Sequence, residues 1–570
     1  MAALESGLLQ RILASSHKHP RPDATIAYQY GTAGFRLRAD KLDSVLFRVG
    51  LLAGLRSKKQ GGKAIGVMVT ASHNPEHDNG VKLVDPRGEM LEASWELSAT
   101  LLANAITPES LSDALNSLIS NHKIDLNQTS NVIYGHDTRP SCPSLVAALE
   151  DGLSCWNGKT VPTGLVTTPQ LHYLVRAHNT IDTAESYGQP SESGYYDKMA
   201  KAFSTLSENK PPLPLIHVDC ANGVGGPKLR ALLERIGEGK LDVKLVKDDT
   251  KAPGALNNQC GADYVKTQQR APPGIQLAAK GRYCSLDGDA DRIVFYYGAD
   301  DGTFRLLDGD KIAGLAAMFL LEVVRQAGLE LEVGVVQTAY ANGSSTSYLK
   351  KTLKVPVACV PTGVKYLHHA AERYDIGVYF EANGHGTVLF SPEALQQISS
   401  AAPSTPAQQT ALSNLQALTE LINQTVGDAL SDLLLVEIIL LHRGWAPKEW
   451  DAAYSDLPNR LVKVLVQDRS LFTTSDAQRV IVTPKGLQAR IDATVAKYPK
   501  GRSFVRPSGT EDCVRVYAEA VSKTEADGKH IFPGIEKANF MFTFHSELAY
   551  KVSALVFDIA GLGPRPPEFV

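Results

Sequence analysis

No apolar run in this 570-residue sequence is long enough to span a bilayer. The most apolar stretches, Gly314 to Val324 and Leu433 to Leu441, are short and interrupted by Glu322 and Glu437, whereas a spanning helix needs about 20 apolar residues. The segment MAALESGLLQRILASSHKHP has an acidic residue and no apolar core, so a secretory leader is not expected. Charge of one sign is missing too: 58 Lys and Arg against 61 Asp and Glu leave −3, which gives no field to draw the chain onto nucleic acid or an anionic membrane. Any anion site must be local. The seven cysteines form no C-x-x-C pair and, being odd in number, cannot all be bridged, which fits a soluble protein in a reducing cytoplasm. No internal repeat is visible, and nothing implies an obligate protein partner.

What is present is the composition of a folded chain, 43% hydrophobic and 21% charged, with Gly and Pro spread along the length. At about 150 residues per domain the length implies about four domains. Strand-like and helical runs alternate through the first 400 residues, the pattern of βαβ units. Val132 to Tyr134 precedes a loop and a helix with Pro143 near its start. Leu215 to Val218 precedes Asp219 to Gly226 and a helix opened by Pro227. Asp308 reads as the N-cap of a helix ending near Gly328, and Val333 to Val336 and Val355 to Val360 read as strands. The last part alternates differently: Leu461 to Gln467 and Val514 to Ala518 as strands, with helices near 487–498 and 535–556, predict an antiparallel α+β unit. Thr180 to Tyr195 and Ser391 to Ser413 read as exposed, mobile connections, the second as an insertion.

Four short segments carry chemistry. Ser285-Leu-Asp-Gly-Asp-Ala-Asp-Arg292 lies between two apolar runs; in an extended segment, Asp287, Asp289 and Asp291 would face the same way. Three converging carboxylates raise one another's pKa unless a cation is present, and a few hard oxygens select Mg²⁺. An EF-hand is excluded because its sixth and twelfth positions are Arg292 and Gly298. A phosphatase with an aspartate nucleophile fits Ala290 and Asp291 poorly, and a solvated acidic turn is the bland alternative. Val69-Thr-Ala-Ser-His-Asn-Pro75 presents Ser72 and His73 at a strand end, with no G-x-S-x-G elbow for acyl transfer; a capping serine is the alternative.

Arg506-Pro-Ser-Gly-Thr-Glu511, with Arg515 beyond it, offers backbone N–H groups, hydroxyls and guanidinium groups suited to a phosphate dianion. A Ser/Thr-stabilised turn would leave the arginines unexplained. Phe380-Glu-Ala-Asn-Gly-His-Gly386 places Glu381, Asn383 and His385 on a glycine-rich turn able to grip sugar hydroxyls, a weak signal alone.

Together, from Gly31-Thr-Ala-Gly-Phe-Arg36 to Arg506-Pro-Ser-Gly-Thr510, these segments resemble the α-D-phosphohexomutase superfamily in the family's order. The resemblance implies an α/β protein of four domains around a central cleft: three α/β domains with mixed sheets at 1–180, 181–298 and 299–450, then a smaller α+β domain at 451–570. It implies a phosphoserine at Ser72 and one Mg²⁺ on Ser72, Asp287, Asp289 and Asp291. Glu381 and Asn383 would contact the sugar, with Thr362 and Gly363 beside them. Arg506, Ser508, Gly509, Thr510 and Arg515 would hold the phosphate that is not reacting. Lys82, Arg36, His73, Arg292 and His385 would assist proton transfer and charge stabilisation.

Asn383, where many hexose-phosphate members carry Ser, points to an N-acetylated sugar. Val364, where many carry an aromatic residue or His, leaves room for an acetamido group. The implied reaction interconverts N-acetylglucosamine 6-phosphate and 1-phosphate through a 1,6-bisphosphate, toward UDP-N-acetylglucosamine. Glucose or mannose phosphates, or a non-catalytic sugar-phosphate sensor, are the alternatives.

Overall fold

The computed structural model describes residues 4–508, 512–521 and 544–569. The chain forms two compact units, one of Met1–Leu331 with Asn383–Trp450 and one of Glu332–Ala382 with Asp451–Val570.

The first unit holds two mixed five-stranded sheets. One runs in the order Phe35–Arg38, Asp78–Val84, Ala64–Val69, Ser130–His136, Gly158–Leu165. Its first two pairings are antiparallel and the others parallel. The other runs Phe304–Leu307, Ile293–Gly298, Arg282–Leu286, Ile216–Asp219, Val243–Val246, with the same change from antiparallel to parallel. Strands Ala64–Val69 and Arg282–Leu286 are buried at every position, which is why the first reads as a continuous apolar run. Their carboxyl ends deliver the Ser72 and Asp287 loops, the place where open α/β sheets bind ligands. The expected helices follow the strands: Cys142–Leu153 with Pro143 in its first turn, Gly225–Ile236, and Gly309–Gln326 capped by Asp308, whose carboxylate accepts from the Asp310 N–H at 3.1 Å.

The expected insertion is helical, whereas residues 181–191 form a connection without helix or strand, exposed at 182–186. Ser391 and Thr405 are N-caps, each followed by Pro, for helices Pro392–Ser400 and Pro406–Leu421; Leu412, Leu415 and Leu418 of the second are buried. Their Ser-Pro and Thr-Pro pairs are helix starts, not loop chemistry. In that connection Tyr187 is buried, its hydroxyl accepting from the Gln424 N–H at 2.8 Å, and helix Glu192–Leu206 buries Tyr195 and Tyr196.

The second unit pairs strands Val357–Val360, Val333–Thr338 and Ile376–Phe380 in parallel. The sequence-predicted antiparallel sheet is Asn459–Leu465, Cys513–Glu519, Arg502–Pro507. Helices Leu487–Val495 and Phe544–Ala560 accompany it. Leu548 and Val552 of the second helix are fully buried against Val464, Val514 and Val516, so that side of it is a core face. Residues 535–543 of the helix expected at 535–556, including Phe540, lie outside the described residues. A small hairpin, Thr473–Ser475 with Val480–Thr483, completes the unit. All seven cysteines are free thiols, and no helix among the described residues is long and apolar enough to cross a membrane.

Candidate active site

Ser72 leaves strand Ala64–Val69 in a left-handed backbone conformation, φ 52°, a strained state for a side-chain-bearing residue that must be held by its surroundings. The holder is Arg139. Its guanidinium donates to the backbone carbonyl oxygens of Ser72 (3.0 Å), Asn74 (2.8 Å), Pro75 (2.5 Å) and Asp78 (2.8 Å), and its Nε to Asp137 (3.0 Å). Asn257 adds a second donor to the Ser72 carbonyl at 2.8 Å, and the Ser72 N–H donates to Thr70 Oγ1 at 2.9 Å. The serine is buried, with its hydroxyl donating to Asp287 Oδ2 at 2.7 Å and lying 3.5 Å from His73 Nδ1.

The three aspartates meet, but not by strand alternation. Residues 287–292 form a turn between strands Arg282–Leu286 and Ile293–Gly298, with Ala290 at φ 56°. Asp287 Oδ1 accepts from the N–H groups of Asp291 (3.0 Å) and Arg292 (3.2 Å), folding the loop back on itself. Gly288 is required here, because a Cβ would stand 2.6 Å from the Ser72 carbonyl oxygen and 2.8 Å from Asn257 Nδ2. One oxygen of each aspartate lies within 4.8 Å of the others, all three being buried, and Asp289 Oδ1 and Asp291 Oδ1 accept no hydrogen bond. A buried carboxylate oxygen left without a donor is what a hard divalent cation would satisfy, so the donor set fits Mg²⁺.

Charges around the triad are arranged to match. Lys82 Nζ, on strand Asp78–Val84, lies 3.2 Å from both Asp289 and Asp291. Thr168 and Thr70 donate to Asp289 Oδ2 at 2.6 and 3.3 Å. Arg292 Nε is 3.8 Å from Asp291 and 3.9 Å from Asp287. Burial, followed by Asp291 and Asp289, pushes Asp287 well above the usual carboxylate range. Burial acts the same way on Asp291, but Lys82, His385 and Arg292 outweigh it and hold that carboxyl well below the range. Burial opposes the charge on Lys82, yet Asp289 and Asp291 raise its pKa on balance. Burial, with Arg292 next, lowers Arg36, whose Nε is buried without a hydrogen-bond partner. Burial and the cations Arg292 and Arg36 push His73 well below its ordinary value, so it is neutral.

The Asn383 turn joins this loop from the other side. Gly384, at φ 89°, accepts the Ile293 N–H on its carbonyl oxygen at 3.2 Å and packs so closely that a Cβ would be 1.9 Å from the Ile293 oxygen. His385 Nδ1 donates to the Asp291 carbonyl oxygen at 2.7 Å, and its Nε2 is buried without a hydrogen-bond partner. Asn383 Oδ1 accepts from the His385 N–H at 3.0 Å and so shapes the turn.

Within the second unit, Arg506 and Arg515 stand directly opposite in the antiparallel register. Paired like charges are unfavourable alone and suit an anion. The Ser508 N–H donates to the Cys513 carbonyl at 2.9 Å, closing the base of the loop; Gly509 and Thr510 lie outside the described residues. The Thr362 hydroxyl is buried without a hydrogen-bond partner, and Gly363, at φ 133°, caps helix Val364–Ala371. Glu381 follows strand Ile376–Phe380 and is half-buried.

Sequence reasoning missed Thr70, Thr168, Asn257 and Arg139. Asp137-Thr-Arg139 was visible as a polar loop at a strand end, the signal that could have singled it out. Arg139→Met should cost about 3 to 5 kcal/mol in a denaturant melt, because it leaves Asp137 buried without its cation; an unchanged melt would deny Arg139 this role.

Sequence comparison agrees with the geometry. Family models match in chain order: "Phosphoglucomutase/phosphomannomutase, alpha/beta/alpha domain I" over 55–98 and 95–185, "Phosphoacetylglucosamine mutase AMG1, domain II" over 181–294, its domain III over 308–445, and "Phosphoglucomutase/phosphomannomutase, C-terminal domain" over 461–528. The phosphoacetylglucosamine mutase of Candida albicans is 51% identical over 525 residues, covering 89% of this chain and 96% of that protein. The solved structure of Aspergillus fumigatus N-acetylphosphoglucosamine mutase in complex with GlcNAc-6P and magnesium is 51% identical with TM-score 0.90, covering 97% and 99% of the two chains. A serine-to-alanine form of that enzyme in complex with glucose 1,6-bisphosphate gives TM-score 0.91 at 51% identity, covering 98% and 100%. Fold and site thus define a four-domain α/β phosphohexomutase, an isomerase acting as an intramolecular phosphotransferase. Within that class the chain belongs to the phosphoacetylglucosamine mutase family.

Proposed function

We propose that the chain interconverts N-acetylglucosamine 6-phosphate and N-acetylglucosamine 1-phosphate, on the way to UDP-N-acetylglucosamine, with Ser72 as the residue that carries the phosphoryl group. The reading is supported above all by the buried Ser72 hydroxyl, 2.7 Å from Asp287 within a carboxylate triad partnered by Lys82. Phosphorylated Ser72 passes its phosphoryl group to the C1 hydroxyl of the 6-phosphate. That hydroxyl loses its proton, and Ser72 Oγ is released as the leaving group. The resulting 1,6-bisphosphate turns over, and its 6-phosphoryl returns to Ser72, releasing the 1-phosphate. No nucleotide is consumed.

Each side chain then has a task. Asp287, Asp289 and Asp291, with Ser72, hold one Mg²⁺, which when bound offsets negative charge on the transferring phosphoryl oxygens. Lys82, Arg36 and Arg292 balance the remaining charge. Two groups are equipped to take the sugar proton: His73, held neutral, and His385 through its unpartnered Nε2. Glu381 and Asn383, with Thr362 and Gly363, contact the sugar, and Arg506, Ser508, Gly509, Thr510 and Arg515 take the phosphate that is not reacting. The domains run 1–180, 181–298, 299–450 and 451–570, supported by the matched stretches 55–185, 181–294, 308–445 and 461–528. The partners are small sugar phosphates in the cytoplasm, with neither nucleic acid nor membrane and no obligate protein partner.

A coupled assay across sugar phosphates, with Mg²⁺ and a trace of hexose 1,6-bisphosphate, tests the assignment. The N-acetylated substrate is expected to turn over with kcat/KM at least about tenfold above glucose or mannose phosphate, the discrimination that roughly 1.4 kcal/mol of acetamido contact supplies. Equal or reversed preference would move the chain to another hexose, and no turnover of any of them would revive a non-catalytic sensor.

A further inference from the structure

The hairpin between strands Thr473–Ser475 and Val480–Thr483 turns through three consecutive non-glycine residues in left-handed conformation: Asp476 (φ 48°), Ala477 (φ 54°) and Gln478 (φ 68°). Three such residues in a row are costly, about 1 kcal/mol or more each, and persist only where the surroundings impose them. Arg479 does part of this, its Nη2 donating to the Asp476 carboxylate at 2.5 Å and its Nε to the Asp476 carbonyl at 3.1 Å. The result is that Gln478 faces two other segments of the same unit. Its Oε1 accepts from the Thr362 N–H at 3.1 Å and from Arg506 Nη1 at 3.0 Å. Arg506 is held from another direction as well, its Nε donating to the Tyr340 hydroxyl at 3.0 Å, with its guanidinium 5.6 Å from that ring's centre. Tyr340 itself meets the stacked pair Phe504 and Tyr517 edge-on.

We infer that Gln478 is a positioning residue: from a strained hairpin turn, one amide oxygen ties the Thr362-Gly363 loop to Arg506 and fixes the orientation in which that arginine meets phosphate. With Nε committed to Tyr340 and Nη1 to Gln478, Nη2 is the corner of the guanidinium to which the described residues assign no bond. A guanidinium held at two corners loses little freedom when an anion docks on the third, which strengthens binding through preorganisation. The tie also means that a displaced phosphate loop displaces the Thr362 loop with it. This inference rests on the reading of Arg506 as a ligand of the non-reacting phosphate.

The test is a double-substitution cycle in the intact enzyme. Gln478→Asn keeps a residue tolerant of positive φ, so the hairpin is retained, but its side chain is one methylene too short to span both donors. Its KM for the sugar 6-phosphate should rise about tenfold, the loss of one charge-assisted hydrogen bond, with kcat within about twofold and the melting temperature unchanged. In an Arg506→Lys background, whose own KM is raised, the same change should have little further effect. An unchanged KM in Gln478→Asn, or an equal rise in both backgrounds, overturns the inference while leaving the phosphate role of Arg506 standing. An unchanged KM in Arg506→Lys overturns that role and the inference together.

Discussion

Ser72→Ala should lower turnover of N-acetylglucosamine 6-phosphate by about 10⁴-fold or more, the scale on which removing a nucleophile leaves only binding and electrostatic contributions. Fold loss would not be the cause. The loop around Ser72 is held through its backbone carbonyl, by Arg139 and Asn257, and through its N–H by Thr70, none of which needs the hydroxyl. The side-chain bonds removed are the one donated to Asp287 and the long 3.5 Å contact with His73 Nδ1. The variant should therefore melt within a few degrees of the parent, bind the sugar phosphate and fail to transfer. Near-normal turnover in the variant would remove Ser72 from the reaction.

Asp289→Asn is expected to cost about 10² to 10³-fold in kcat, the usual effect of deleting one group that supports a charge-stabilising site. The substitution is clean for a structural reason. Asp289 Oδ2 accepts from Thr168 and Thr70 while Oδ1 accepts nothing, so an asparagine keeps its carbonyl oxygen on the hydroxyls and puts its NH₂ where the unpartnered oxygen was. What disappears is the negative charge, with it the ion pair to Lys82, and one potential metal ligand. The Mg²⁺ concentration giving half-maximal rate should rise with the loss of kcat, and chelation with EDTA should silence the parent until Mg²⁺ is restored. An Asp289→Asn enzyme with unchanged Mg²⁺ requirement would mean that the triad is not the metal centre.

The site was legible in the sequence to the extent that it was local. Val69 to Pro75 could be read because an apolar strand ends in a serine followed by turn residues, and the structure puts Ser72 at that strand end. The three aspartates were recognisable as a set, but their convergence was attributed to strand alternation; it comes from a turn with Ala290 in left-handed conformation, which an alanine does not advertise. Contacts that hold the site were illegible because their partners are remote in sequence: Thr168 with Asp289, Asn257 with Ser72, His385 with Asp291. Only packing of whole sheets brings them together. Residues 391–413 were misjudged for a different reason: Ser and Pro, read as loop composition, were acting as N-cap and first helical residue.

The most direct test of the account is to load the enzyme with isotopically labelled phosphate, map the label by peptide mass, and mix it in single turnover with N-acetylglucosamine 6-phosphate. The label should lie on the peptide containing Ser72 and pass to the sugar at least as fast as steady-state turnover. Label that maps elsewhere, or that stays on Ser72 while product accumulates, would contradict it.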